Sequence, residues 1–515
     1  MRRLPKEGLL VLGVWLALFV TNPGRNETVD VEMRQVVTRR IWTTGHVTLT
    51  SLPHSDMPLA WVPAGPGRWA APYGIGQSLV FIPFDAAGAL LEHLSPPSWR
   101  ERVGWLPIGL GLLPLLGVGC WLAIRKVLRV QGFDEQWSLV GSLALVFGTI
   151  VFHYLGQAQE EMLVGFFLTL SLLFALRLRS APTARNALLS AVFAGACLIT
   201  RPVSVFSLLI IPVLFWSAAK DGAARARLFL PASAVVIASL LVMLGYNYAR
   251  FGSPFAIGYD RLGHVSKIAF DARSPKVLAT LVFGPGIGLL VLSPLLLLTF
   301  WGLAPLWRRD RAYFVGLSAS VVSCYLFFSC WHDSYSGGVA WGTRYQCHLL
   351  PLYAVPLTLG IQRLVETLSG RRLVVFVATV SVAIQLLSVV ITHHMEYFES
   401  ACQNGTEEAL ASGLAEGEFV RRVENVLRWV RRAGPPHCES AENQKTINLT
   451  WDRYVPNFWG PVFAHRVSRK AGFPLLILWS GLALAAVALL ARGTRDALRG
   501  LSGSAPEVSP GLPKG

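Results

Sequence analysis

Charge is scarce in this 515-residue sequence: Asp, Glu, Lys and Arg make up 15% of it, against about 25% in an average globular domain. With 53% hydrophobic residues and a mean hydropathy of +0.48, the shortage excludes most soluble classes. Disorder is excluded as well, because a chain rich in Leu, Val and Phe with 17 Trp is the opposite of the low-hydrophobicity signature. The seven cysteines form no CxxC pair, so neither a zinc site nor a thioredoxin-like motif is suggested. No Walker A, strand-anchored GxGxxG, HExxH or GxSxG stands in a persuasive context, which leaves nucleotide binding and zinc proteolysis without support. No solenoid repeat is visible, and the one low-complexity tract is the Gly/Ser/Pro-rich tail Gly500 to Gly515.

Acids are scarcer than bases, 30 against 46, giving a formal net charge of +16. In a soluble protein that would suggest nucleic acid. Here the bases come in small groups between apolar runs, the positive-inside pattern rather than a nucleic-acid footprint. Runs long enough for a hydrocarbon core of about 30 Å lie near 7–21, 104–124, 137–155, 162–179, 187–200, 203–219, 228–247, 279–301, 312–330, 345–361, 373–391 and 473–491.

The segment Tyr73 to Leu91 decides the topology. It is apolar enough to span but carries Pro83 and Asp85 at its centre. Counted as a span, it would put the basic loops around Arg125, Arg179, Arg225 and Arg309 outside. Treated as an interfacial or re-entrant helix, it leaves them all in the cytoplasm. The predicted fold is therefore an all-α polytopic membrane protein. It has about 12 transmembrane helices, outer-face interfacial helices, a small extracytoplasmic domain and both termini inside.

The expected division is a membrane module over 1–391, with 22–103 as an outer loop carrying interfacial helices. An extracytoplasmic domain covers 392–472, a last span 473–491 and a cytoplasmic tail 492–515. The sequons at Asn26, Asn404 and Asn448 all fall outside. In the outer domain an amphipathic helix is expected from about Leu414 to Arg432. Phe419, Val423, Val426, Leu427 and Val430 form its apolar face, with Arg421, Arg422, Arg428, Arg431 and Arg432 largely opposite. Cys402 and Cys438 flank this domain in an oxidising compartment, where a disulfide would stabilise a small core.

Charged residues at membrane depth are costly, so acids and bases flanking the outer ends of spans are the candidates for chemistry. Asp30 and Glu32 in VDVEM follow the first span, and either could act as general base; the alternative is a pair of solvated charges at a helix start. Glu160 and Glu161 open the fourth span, where a helix N-terminus favours anions. Acids from two outer turns can converge to orient a sugar hydroxyl or bind a divalent cation, the one cofactor this pattern raises. Arg201, Arg250 and Arg344 sit at outer span ends, where guanidinium either grips phosphate or snorkels to headgroups. In WHDSYSGGVAWGTRY (Trp331 to Tyr345), Trp341 and its aromatic neighbours fit an interfacial belt or a sugar-stacking face.

Taken in order, these motifs resemble the C-type glycosyltransferases, membrane enzymes that use polyprenyl-phosphate sugars, and most closely the branch of aminoarabinose transferase and protein O-mannosyltransferases. The likeness covers most of residues 1–360. It rests on Asp30 with Glu32 after the first span, the Tyr-Gly segment from Tyr73, and Glu160/Glu161. Further on it rests on Arg201-Pro202, RFGSPF (Arg250 to Phe255), Gly288 to Pro294 and Gly337 to Tyr345. The chain departs from the commonest pattern with Met162 after Glu161 and Val31 after Asp30.

The resemblance implies inverting transfer of a sugar to an acceptor hydroxyl on a lipid, glycan or protein, on the extracytoplasmic face of a bacterial inner (plasma) membrane. Asp30 would take the hydroxyl proton, and Asp30 and Glu161 would converge on one outer cavity. Arg201, Arg250 and Arg344, with Tyr73, Trp341 and the Glu160/Glu161 pair, would line the substrate site. The expected partners are the polyprenyl-phosphate donor, membrane lipids and the acceptor, with no nucleic acid. The rival class, a transporter or flippase of a lipid-linked or small solute, would favour polar residues at mid-bilayer rather than on one face.

Overall fold

The computed structural model describes residues 4–52, 61–219, 221–263, 268–331, 335, 337, 340–392, 395, 399, 417–438, 440–466 and 469–501. Helix α1 (Leu4–Thr21) leads to α2 (Val29–Thr44). An antiparallel hairpin follows, with β1 (Val62–Pro63) paired to β2 (Trp69–Ala70) through Val62 and Ala70, and then α3 (Gly76–Leu94). Next come α4 (Leu113–Val130), α5 (Glu135–Phe147), α6 (Val151–Leu155), α7 (Glu160–Ser180), α8 (Ala184–Thr200), α9 (Ile210–Ala218) and α10 (Gly222–Phe251). The remaining helices of the bundle are α11 (Ser274–Phe283), α12 (Thr299–Arg309), α13 (Arg311–Ser329), α14 (Ala354–Leu364) and α15 (Leu368–Val390). The region expected to lie outside contributes α16 (Glu418–Val430), α17 (Ala441–Tyr454) and α18 (Trp459–Arg466), followed by α19 (Arg469–Leu501).

Among the described residues six helices are long and apolar enough to cross a membrane: Pro107–Val130, Glu160–Ser180, Gly222–Phe251, Arg311–Ser329, Leu368–Val390 and Gly472–Arg495. The other six expected spans are shorter or interrupted in the described residues, so six of the expected spans are matched by one long apolar helix each. Gly148 divides α5 from α6, and the 279–301 run breaks at Gly284 and Ser293-Pro294. The 345–361 run opens as a 3-10 helix through Pro351. Glycine and proline weaken or remove helical hydrogen bonds, which accounts for the breaks. The Tyr73 to Leu91 segment is the helix α3 and is not among the six. Its buried Asp85 accepts from Arg39, Gln35 and Trp42, all on α2.

Helix α7 sets the geometry. Its 21 residues extend about 30 Å at 1.5 Å per residue, with Glu160 and Glu161 at one end and Arg177 and Arg179 at the other. At the basic end Arg179 pairs with Asp310, Gln131 donates to Asp310 at 3.1 Å, and Arg309 donates to the Gln131 carbonyl. The helices that start at this end are capped by Asp134, Thr183, Asp221, Asp310 and Thr367, side chains that satisfy otherwise orphaned backbone N–H groups. The basic loops thus gather about one bilayer thickness from the acids.

The outer helix α16 departs from expectation. Leu414 lies outside the described residues, and Arg421, Arg422 and Asn425 are buried while Leu427 and Val430 are exposed. The polar side chains turn inward because they have partners there: Arg422 donates to the Ser388 carbonyl and Asn425 to Glu399 at 2.8 Å. A small core of Ile391, Met395, Cys438, Ile447 and Trp451 lies beneath α17. Cys438 is disulfide-bonded, whereas Cys120, Cys197, Cys324, Cys330 and Cys347 are free; Cys402 and Asn404 lie outside the described residues.

Candidate active site

Helix α2 begins at the carbonyl of Thr28, which accepts from the N–H groups of Val31 and Glu32. This places Asp30 in the first turn and Arg34 one turn later on the same face. Glu32, two positions on, turns to a different face, so of the two candidate bases Asp30 is the one in the cluster described next.

Asp30 accepts from the Tyr73 hydroxyl at 2.5 Å and from Arg344 Nη2 at 2.5 Å. Arg344 Nε reaches Glu161 Oε1 at 2.9 Å, so a single guanidinium touches both carboxylates. Arg201 Nη1 donates to the same Glu161 oxygen at 2.6 Å, and its Nε lies 3.8 Å from Glu160. Arg34 Nη2 completes the cluster at 2.7 Å from Glu160 Oε2. Three acids therefore face three arginines in a nearly closed chain, and every member except half-buried Asp30 is buried.

Packing holds the ring in place. The turn Tyr73–Gly76 sits so close to the end of α8 that a Cβ on Gly74 or Gly76 would collide with the backbone of Thr200, next to Arg201. Arg34 lies over the Tyr73 ring at 3.9 Å and Arg201 over Tyr345 at 4.4 Å, which lowers the cost of holding guanidinium out of water. Burial alone would raise the Asp30 carboxyl; the adjoining Arg344 and Arg34 charges and the Tyr73 hydroxyl overcome it and hold Asp30 well below the usual carboxylate range. The Tyr73 hydroxyl is pushed up by burial and by the Asp30 charge.

Some buried polar atoms in the cluster have no hydrogen-bond partner among the described residues: Arg34 Nε and Nη1, and Glu161 Oε2. A cavity of about 260 Å³ opens beside Arg201, walled by Tyr73, Tyr246, Arg250, Tyr259, Phe327 and Trp331. A larger hollow of about 490 Å³, between Asp452, Pro456, Phe473 and Leu476, is lined by no member of the acid–arginine cluster, whereas the smaller one is lined by Arg201 and by Tyr73, the partner of Asp30.

The fold has a distant likeness to two solved structures. ArnT from Cupriavidus metallidurans bound to undecaprenyl phosphate aligns over 96% of this chain and 77% of its own, with 12% identity and a TM-score of 0.49. The apo form of the Archaeoglobus fulgidus oligosaccharyltransferase aligns over 88% of this chain and 60% of its own, with 11% identity and a TM-score of 0.47. No family model and no curated protein matches the sequence.

The surroundings of three sequence-based candidates bear on their roles. Arg250 stands at the cavity and donates through Nη1 to the carbonyls of Ala71 and Tyr73 and through Nη2 to Asn247, which ties it to the hairpin-to-α3 turn, while its buried Nε has no hydrogen-bond partner among the described residues. Trp341 is fully buried, with Arg422 4.5 Å above its ring and Phe419 beside it, so α16 covers the face a sugar would need. The divalent-cation expectation has no matching donor set: among the described residues no three His, Cys, Asp or Glu side chains are grouped to hold an ion, and the clustered acids face guanidinium instead. His332 and Asp333 lie outside the described residues. The sequence reading missed Arg34 and Tyr259; the four-residue spacing from Asp30 to Arg34 was the available signal for the first.

Proposed function

We propose that the chain is an inverting membrane glycosyltransferase that moves a sugar from a polyprenyl-phosphate donor to an acceptor hydroxyl at the outer face. The observation that carries this reading is the cluster in which Arg344 joins Asp30 to Glu161, with Arg34 and Arg201 alongside and a cavity at its edge. The acceptor oxygen attacks the anomeric carbon as the bond from that carbon to the phosphate oxygen breaks. The phosphate departs with the electron pair, and the hydroxyl proton passes to Asp30.

The donor phosphate is an anion, and Arg34 offers two buried nitrogens, Nε and Nη1, without a hydrogen-bond partner among the described residues. Guanidinium fixed before the reaction stabilises charge as it develops on the leaving phosphate without reorganisation. Arg344 has a second effect. While it grips Asp30 the carboxylate is a weak base; a phosphate that draws Arg344 away restores Asp30 towards ordinary basicity, so base strength rises when donor is present.

The test is Asp30→Asn in purified protein supplied with a polyprenyl-phosphate sugar, run beside mass spectrometry of cell-envelope glycans and lipids with and without the protein. Loss of transfer with unchanged expression is expected. Wild-type turnover by Asp30→Asn would remove this mechanism.

A further inference from the structure

Glu27 is buried three residues before Asp30, and its carboxylate accepts from four different side chains. Its Oε1 accepts from Arg25 Nη2 at 2.8 Å and Thr392 Oγ1 at 2.7 Å. Its Oε2 accepts from Gln157 Nε2 at 2.7 Å and Asn457 Nδ2 at 3.1 Å. These donors come from separate stretches of chain. Gln157 lies in the turn that ends at Glu160, Thr392 follows α15, and Asn457 joins α17 to α18.

The surroundings reinforce the junction. Asn22 Nδ2 reaches the Gly156 carbonyl at 3.3 Å, and the Asn22 carbonyl accepts from Trp459 N at 3.0 Å. Asn457 N donates to Val390 at 2.8 Å, and Arg25 lies over the Tyr454 ring at 3.5 Å. A buried carboxylate with four donors is a rigid node, since each donor loses a strong charge-assisted bond if it moves.

We propose that Glu27 is a positioning residue through which the outer domain fixes the distance between Asp30 and the Glu160/Glu161 pair. The start of α2 and the turn before α7 are tied to one carboxylate, and the 454–457 segment of the outer domain is tied to it as well. The effect on substrate rests on the glycosyltransferase reading; the mechanical part does not.

The experiment uses the full chain in nanodiscs with Glu27→Gln, Gln157→Glu and the double swap. Hydrogen exchange is followed over 28–34, 156–162 and 457–464, and undecaprenyl phosphate serves as the binding probe in native mass spectrometry. Glu27→Gln should speed exchange in all three segments together by about tenfold and weaken undecaprenyl phosphate by about tenfold. The double swap keeps one carboxylate and one amide across the same contact and should restore both readouts, which a merely destabilised protein would not do. Faster exchange in 28–34 alone, or a swap that fails to rescue, overturns the proposal. Should Glu27→Gln not fold, Gln157→Ala, which removes a single donor, must show the same joint loosening of 28–34 and 156–162, and its failure to do so also overturns it. Wild-type protein that does not bind undecaprenyl phosphate would count against the glycosyltransferase reading, and the exchange data would then decide the positioning claim separately.

Discussion

Carboxylates meet guanidinium at both ends of α7, and the two meetings are built differently. At the basic end Arg179 is 35% exposed opposite Asp310, Arg129 and Glu135 are about half exposed, and arginine is in excess. At the acidic end Arg34, Glu160 and Glu161 are 3% exposed or less, and acids balance bases three to three. Pairs at a wet surface gain little and are screened by salt. Buried ones have a large desolvation cost that only close geometry and extra hydrogen bonds offset. The acidic end thus carries a desolvation cost that the basic end largely avoids.

If the contrast is one of chemistry against anchoring, substitutions at the two ends must separate activity from stability. Asp30→Asn, nearly isosteric, should reduce transfer by about a thousandfold, within the range for loss of a general base, as measured by turnover of purified protein. Arg344 comes next. Arg344→Ala leaves two carboxylates without their shared partner and should cost about 3–5 kcal/mol in denaturant unfolding. Arg344→Lys keeps the charge but cannot span Asp30 and Glu161 at once, so a fold near wild type with about a tenfold to hundredfold loss of turnover is expected. A fully active Arg344→Lys would reduce the acidic end to an anchor like the basic one.

A smaller effect follows from pH. Asp30 is ionised in the folded chain well below the usual range, so on acidification the unfolded chain takes up the proton first. Its contribution is complete above about pH 4 and disappears as pH falls towards the depressed folded value. The difference in thermal midpoint between wild type and Asp30→Asn should stay flat from pH 8 to 5 and shrink below about 4. A difference that grows on acidification would mean the assigned partners are wrong. Smallest of all, Arg179→Gln at the basic end should leave turnover unchanged and cost no more than about 1 kcal/mol, because Asp310 keeps Gln131 and the Tyr313 N–H.

How far these ends were legible in the sequence differs in the same way. Short basic clusters between apolar runs are a local signal, and so are Glu160 and Glu161 at a span start; the two lie at opposite ends of α7. Asp30, Tyr73, Arg201 and Arg344 were legible as candidates because each lies at a motif beside a span end. Their convergence needed the three-dimensional arrangement. The roles of Trp341 and Arg250 were not legible in the sequence, for one physical reason. An aromatic or a guanidinium near the interface suits a ligand, a headgroup or a neighbouring element equally, and only the position of α16 over Trp341, or of Ala71 and Tyr73 under Arg250, distinguishes these outcomes. The breaks at Gly148, Gly284 and Pro294 were written in residue type, yet apolar content concealed them when spans were counted by hydropathy.

The ring of three acids and three arginines also determines which molecules can enter. Each carboxylate is a competitor tied to the chain, present at the guanidinium groups at an effective concentration that a free solute in the millimolar range or below hardly matches. A small dissolved anion such as inorganic phosphate would find only the unpartnered nitrogens of Arg34 open to it, because Arg201 and Arg344 already hold carboxylates. A ligand that displaces a tethered carboxylate must bring a second source of affinity. A long isoprenoid tail does so, since each buried methylene adds about 0.8 kcal/mol. Selectivity for a lipid-borne phosphate over a soluble one would then arise from the protein's own side chains contesting the place, without any contact that distinguishes one phosphate from another.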